Sequence, residues 1–397
     1  MRAALVAALT GLMIVGCTTS HESSPSSKTR PTTTLFPVAL VIDDGTPSAV
    51  KGQDYRETIQ VPTQRDGWGL AFGGRRGDTL VLAQTDESAD GSGEKKDPRG
   101  EHMVLFDMTQ HTFVDLPYHG TVGAPSYLAA TAVAGRRVLW TERSETDLYH
   151  FTWEMYSYDL DSGEERKIAS HAMFGIEHPP PTTFDGVWPV VLGDWVYFAA
   201  VDKMGKEPKD AHGSVYRVPL DGDADPERIV PGAYDVRRFG DHLMVQIKGD
   251  VLQWDPAKGE SGEIKGTRQS SSCGFRTNQE TTILCPRKGD ASVLEVTSPE
   301  YGSFTVDIGD RSGPGYLNVT RRWASFSADE EGYVLDLKRG RLMKLDGAQD
   351  AGWTDFEDGE LMYQNFALGD DPMVYEQKTM PLIELLPASD RSDSASG

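Results

Sequence analysis

Carboxylates and imidazoles in the right grouping hydrolyse bonds or hold metals, so the acids and histidines of this 397-residue chain are the starting point. Asp221-Gly222-Asp223-Ala224-Asp225 alternates carboxylates as a calcium loop does, but the bidentate glutamate that completes such a loop does not follow, and a hairpin turn explains the same composition. His171 and His178 are spaced to share a metal, yet no third ligand is in view, and surface histidines need no partner. Glu142, His178, Asp235 and Asp355 are the candidates for a hydrolytic or calcium-assisted site, provided the fold brings two or more of them together. The usual catalytic signatures are missing: no Gly-x-Ser-x-Gly elbow, no His-Glu-x-x-His and no glycine-rich phosphate loop. No cofactor and no resident metal are implied.

A second set of residues suits binding better than reaction. Trp68, Tyr127, Trp188, Tyr234, Tyr316 and Trp353 recur at about the same offset before a turn, broken once by Ser272-Cys273. Rings of this kind offer flat apolar faces with polar tips for stacking on sugars, peptides or aromatic groups. They would serve equally as wedges between structural units, and the spacing does not choose.

The elements that position these residues follow from repetition. Seven phrases close an apolar run on an acidic or turn residue and open another after a short gap: Phe106-Asp107 to Leu116, Tyr158-Asp159 to Ile168, Leu220-Asp221 to Ile229, Trp254-Asp255 to Ile264, Val296 to Ile308, Leu335-Asp336 to Leu345, and Tyr375-Glu376 to Leu385. A second set of turns, at 73–78, 134–136, 193–194, 240–241, 277–280, 320–322 and 358–359, falls in register with the first, each followed by a β-branched and aromatic run. A small antiparallel sheet repeated at such a period must stack on its neighbours to bury its faces. The chain is therefore expected to be all-β, a single β-propeller of seven four-stranded blades over 35–389, with the six aromatics at the mouth of its central channel. Residues 55–61 would supply the outer strand of the closing blade or lie across the closure. Trp254-Asp255 is the WD dipeptide, and the layout resembles WD-repeat and Tol-associated propellers. With no Gly-His partner before that dipeptide, the resemblance implies a fold and no functional residues.

Three segments, 85–100, 142–152 and 201–213, are long and polar and would open on one propeller face, where unequal loops on a rigid scaffold suit recognition.

At the N-terminus, Met1-Arg2 leads into an apolar stretch too short to span a bilayer. Ile14-Val15-Gly16-Cys17 then resembles the lipobox of bacterial lipoproteins. That likeness implies a signal peptide over 1–16, diacylglycerol on Cys17, and a protein anchored to a cell membrane on its extracytoplasmic side. Residues 17–34 are rich in Ser and Thr and without apolar period, a disordered tether with an end-to-end distance of roughly 20 to 25 Å; 390–397 is a polar tail. Cys273 and Cys285 remain as a pair. Each lies six positions from Gln279, so a hairpin centred there sets them opposite each other as a cross-strand disulfide worth roughly 3 kcal/mol in the chain-entropy model. A metal site is the competing reading of the two thiols.

The formal charge of −22 excludes nucleic acid and repels anionic headgroups, which leaves the lipid to hold the membrane. Two functional readings stand: a monomeric, non-enzymatic recognition or scaffold protein for an envelope protein, glycan or peptide, and a propeller hydrolase or lactonase with carboxylates at the channel mouth.

Overall fold

In three of the repeated phrases the acid that closes the first apolar run is a turn cap. Asp107 Oδ1 accepts the backbone N–H groups of Thr109 and Gln110 at 2.8 Å, Asp159 Oδ1 those of Asp161 and Ser162 at 2.9 and 3.1 Å, and Asp255 Oδ1 those of Ala257 and Lys258 at 3.0 and 3.2 Å. An aspartate here satisfies donors that a tight turn leaves open, which is why the residue recurs.

The computed structural model describes residues 38–66, 68–85, 101–120, 127–143, 152–176, 187–204, 211–247, 250–262, 276–277, 282–287, 289–311, 315–329, 331–346, 350–351, 360–368 and 375–386. The expected signal peptide, tether and C-terminal tail lie outside them. Among the described residues the strands fall into seven sheets. The first holds Gln64–Arg65, Trp68–Arg76, Thr79–Thr85, His102–Asp107 and Thr112–Asp115; the second, Tyr127–Ala134, Arg137–Arg143, Trp153–Asp159 and Glu165–Ser170. The third holds Val190–Leu192, Trp195–Lys203, His212–Pro219 and Glu227–Pro231; the fourth, Ala233–Phe239, His242–Ile247, Asp250–Asp255 and Glu260–Gly262. The fifth is Arg276–Thr277, Ile283–Arg287, Asp290–Ser298 and Gly302–Asp307, and the sixth Gly315–Val319, Trp323–Ala328, Glu331–Asp336 and Arg341–Leu345. Asp350–Ala351, Glu360–Leu368 and Tyr375–Leu385 make the seventh with Tyr55–Val61 from the other end of the chain.

Burial follows the junctions between sheets. Met103 and Val81 of the first sheet meet Trp140 and Tyr156 of the second; Met155 and Ile168 of the second meet Phe198 and Val218 of the third. Tyr197 meets Val236 and Val245, Met244 meets Ile283, and Leu294 and Val306 meet Phe326 and Leu335 in the same way. Trp323 and Met343 of the sixth sheet pack on Ile383 and Leu385, and Val61 and Leu382 of the seventh pack on Leu70 and Leu80 of the first. Each sheet thus buries its two faces against its two neighbours, and the last returns to the first. This is a β-propeller.

Two features depart from the sequence reading. The phrase Tyr375-Glu376 to Leu385 is one continuous strand, not a hairpin, because its outer neighbour is Tyr55–Val61, paired antiparallel from Tyr55↔Leu385 to Val61↔Met380. The residues before that strand form a belt across outer edges: Val38–Val41 runs parallel to Gly302–Asp307, Ala49 N–H donates to the Lys344 carbonyl at 2.7 Å, and Arg341 reaches the buried Asp54 at 2.6 Å. No helix among the described residues is long and apolar enough to cross a membrane; they hold no α-helix, and their one helical turn is the 3-10 segment His171–Phe174.

Candidate functional site

Strands Trp195–Lys203 and His212–Pro219 pair from Trp195↔Pro219 to Lys203↔His212, so the end of one and the start of the other share a face of the propeller. The turn His171–Phe174, which follows the outer strand of the second sheet, and Pro231-Gly232, which leads from the third sheet to the fourth, arrive at the same face. Between them lies a pocket of about 510 Å³. Phe174 forms an apolar wall, its ring 4.6 Å from that of buried Tyr216. Residues 205–210, which join the two strands, lie outside the described residues.

Asp202 is the acid of this pocket, its side chain 12% exposed. Ser214 Oγ donates to Asp202 Oδ2 at 2.6 Å, Tyr216 Oη donates to the same oxygen at 2.9 Å, and Arg228 Nη1 lies 3.5 Å away. Burial and the hydrogen bond to this carboxylate hold the Tyr216 phenol well above its ordinary range, so it stays a donor. Lys203 and His212 stand exposed at the rim. Two hydroxyls hold Asp202 in place through one oxygen, and the arrangement suits orientation of a ligand.

A second polar cluster lies between the first and second sheets. Strand periodicity puts Trp140, Glu142, Glu154 and Tyr156 on one face, and His119, from the connector between the sheets, inserts against it. Its ring lies on Tyr156 with centroids 3.8 Å apart; Nδ1 is 2.9 Å from Glu142 Oε1 and Nε2 is 2.8 Å from Glu165 Oε1. Trp140 Nε1 donates to the same Glu142 oxygen at 2.7 Å, and the Tyr156 hydroxyl donates to Glu154, which Lys167 holds at 2.8 Å. Burial opposes charging the imidazole, but the hydrogen bonds and charges of Glu142 and Glu165 outweigh it and raise the His119 pKa above 6.5.

The carboxylates picked out for catalysis are not brought together where they are described. Glu142 is committed to Trp140 and His119 in the second sheet; Asp235, in the fourth, accepts Val236 N–H at 2.8 Å and Arg237 Nε at 3.2 Å. Asp355 and His178 lie outside the described residues. Among the described residues no three His, Cys, Asp or Glu side chains are grouped to hold a metal. The Asp221 to Asp225 stretch is a turn: Gly222 N–H donates to the Pro219 carbonyl at 2.8 Å, and Arg166 bridges the Asp221 carbonyl and Asp223 Oδ1 at 3.0 and 2.9 Å.

The aromatic set divides. Trp68 opens its strand and is buried, 5% exposed. Trp188 precedes Val190–Leu192 rather than lying on it, half-buried, with the Arg237 guanidinium 5.6 Å from its ring centroid and its indole nitrogen buried without a hydrogen-bond partner among the described residues. Tyr234 is half-buried in Ala233–Phe239. Tyr127 and Tyr316 lie on first strands of their sheets, while Trp353 is outside the described residues and beyond Asp350–Ala351. Cys273 is likewise outside them. Cys285 stands on Ile283–Arg287, and the pairing Arg276↔Leu284 and Thr277↔Ile283 centres the hairpin on position 280, one residue past the expected centre. Sequence reasoning missed His119, Asp202 and Ser214. Only the alternation of Trp140 with Glu142 carried a signal, and it pointed to the His119 cluster.

No family model matches the chain, and no curated protein does. Among solved structures it is similar to the β-propeller domain of the Trilobed protease from Pyrococcus furiosus, with 11% identity, a TM-score of 0.51, and coverage of 84% of this chain and 99% of that one. It is also similar to acylaminoacyl peptidase from Pyrococcus horikoshii, with 11% identity, a TM-score of 0.49, and coverage of 80% of this chain and 52% of that one. The chain spans about half the length of that peptidase. At this identity the likeness shows the fold, a β-propeller, and nothing of the chemistry.

Proposed function

We propose that this protein is a non-enzymatic recognition propeller, held at the extracytoplasmic side of a cell membrane by diacylglycerol on Cys17, which binds an envelope component in the Asp202 pocket. Cleavage before Cys17 leaves residues 17–34 as the tether. The body is a seven-bladed monomer: seven sheets among the described residues, each sharing a core with both neighbours, support a closed ring. Cys273 and Cys285 form a disulfide in the fifth blade, consistent with an oxidising compartment.

The observation that carries the reading is the pocket itself. It is concave, it lies where the connections between sheets emerge, and its carboxylate is engaged by Ser214 and Tyr216. The test is capture from an envelope extract by the tethered protein, with the bound ligand released and its mass compared with that of the ligand offered. An unaltered ligand, lost on Phe174→Ala and retained on Trp188→Ala, supports the reading. A hydrolysed product turns it to the hydrolase or lactonase alternative, and loss on Trp188→Ala alone moves recognition to the aromatic ring.

A further inference from the structure

We propose that the Asp202 pocket selects a small anion carried on a flat ring, the anionic group lying between Lys203, His212 and Arg228 and the ring lying on Phe174. This rests on the reading of the pocket as a recognition site and adds the chemical class of what is recognised.

The argument begins with sign. The chain has 61 acidic and 39 basic residues, so a cation on its surface has carboxylates in excess to pair with. Lys51, Lys167, Lys258 and Lys344 each hold one. Lys203 and His212, cross-strand partners at the pocket rim, hold none among the described residues. Arg228, its side chain 59% exposed, reaches Asp202 only at 3.5 Å and can turn its remaining donors toward a ligand. Against Lys203 and Arg228, the one acid among the described residues lining the pocket is Asp202, whose Oδ2 already accepts from Ser214 and Tyr216. The described lining of the pocket is therefore locally cationic on an acidic protein, and a lysine that pairs with no described acid is available to an external anion.

The second half of the argument is shape. Phe174 is half-exposed beside Tyr216, so its ring presents an apolar surface adjoining the polar rim. A ligand joining a ring to a carboxylate or phosphate matches both parts, whereas a free inorganic anion uses only one. Gly232 borders the same space, and no described residue lies within 4 Å of where its Cβ would be.

The experiment titrates the full chain with benzoate, phenyl phosphate, benzamide and acetate, followed by calorimetry. Benzoate or phenyl phosphate binds at least roughly tenfold more tightly than benzamide and acetate, and the comparison between the two anions says which group is preferred. Lys203→Gln weakens the preferred anion by about fivefold with an unchanged melting temperature, since Lys203 is exposed and pairs with no acid among the described residues. Asp202→Asn strengthens it. Benzamide binding as tightly as benzoate overturns the selectivity while leaving a recognition pocket in place. Acetate matching benzoate overturns the role of the ring. No binding by any probe overturns this inference, and the capture experiment above then decides separately whether the pocket recognises anything.

Discussion

His119 lies flat on Tyr156, their planes 3° from parallel, while both imidazole nitrogens face carboxylates, Glu142 on one side and Glu165 on the other. An ionised carboxylate only accepts, so an imidazolium donating from both nitrogens would satisfy the two glutamates together. The ring ties the connector leaving the first sheet to three strands of the second.

The consequence is a pH dependence with a definite sign. Protonation of His119 is favoured in the folded state, so its stabilisation is whole below the unfolded value near 6.5 and is lost as pH climbs past the raised folded value. His119→Gln is expected to cost about 2 kcal/mol at pH 6, and the difference from wild type should shrink steadily toward pH 9. Urea unfolding at a series of pH values measures it. A difference constant with pH would mean that the imidazole contributes by packing alone.

Asp202 depends on the hydroxyls around it. Ser214→Ala leaves a largely covered carboxylate with one donor fewer, and a loss of roughly 1 to 2 kcal/mol is expected from the urea midpoint. Tyr216→Phe removes the other hydroxyl with little change in volume and should cost about as much. The double variant should lose less than twice either single value, because the two donors share one oxygen. Full additivity would say that they act on Asp202 independently.

Gly222 has a positive φ of 74°, and a Cβ there would stand 2.7 Å from Ile168 Cγ2. Gly222→Ala should therefore cost roughly 1 to 3 kcal/mol, through strain at the turn and a clash between the second and third sheets. Asp223→Ala, which removes only an exposed ion pair with Arg166, should cost under about 1 kcal/mol. Thermal melts of the two variants separate a turn from a ligand loop. Added calcium should shift neither.

Leu382, 2% exposed, belongs to the seventh sheet and packs on the first. Leu382→Ala should cost about 2 to 5 kcal/mol and leave unfolding a single transition, because a ring opened at one junction exposes the faces beside it. Tryptophan fluorescence and far-ultraviolet circular dichroism should give the same midpoint. Separate midpoints would show that the sheets unfold independently.

Much of this architecture was legible because its signals are local. Turns such as Gly193-Asp194 and Gly240-Asp241, and the capping aspartates Asp107, Asp159 and Asp255, fix hairpins from residues only a few positions apart. The closing sheet was harder, since Tyr375–Leu385 reads like a hairpin until its partner Tyr55–Val61 is brought from the far end of the chain. The belt strand Val38–Val41 carries no pattern at all, three of its four residues being exposed. The site was least legible. Asp202, Ser214 and Tyr216 converge through cross-strand pairing after a connection whose length says nothing of register, and Phe174 joins them from another sheet. The aromatic set had a clear sequence rhythm, yet its best described member, Trp68, is buried in its sheet.

The most direct test of recognition without chemistry in the Asp202 pocket is a crystal structure of the protein bound to the ligand it captures from an envelope fraction. The account predicts an intact ligand between Phe174, Asp202 and Arg228. A ligand cleaved in place, or one seated over the central channel with this pocket empty, would contradict it.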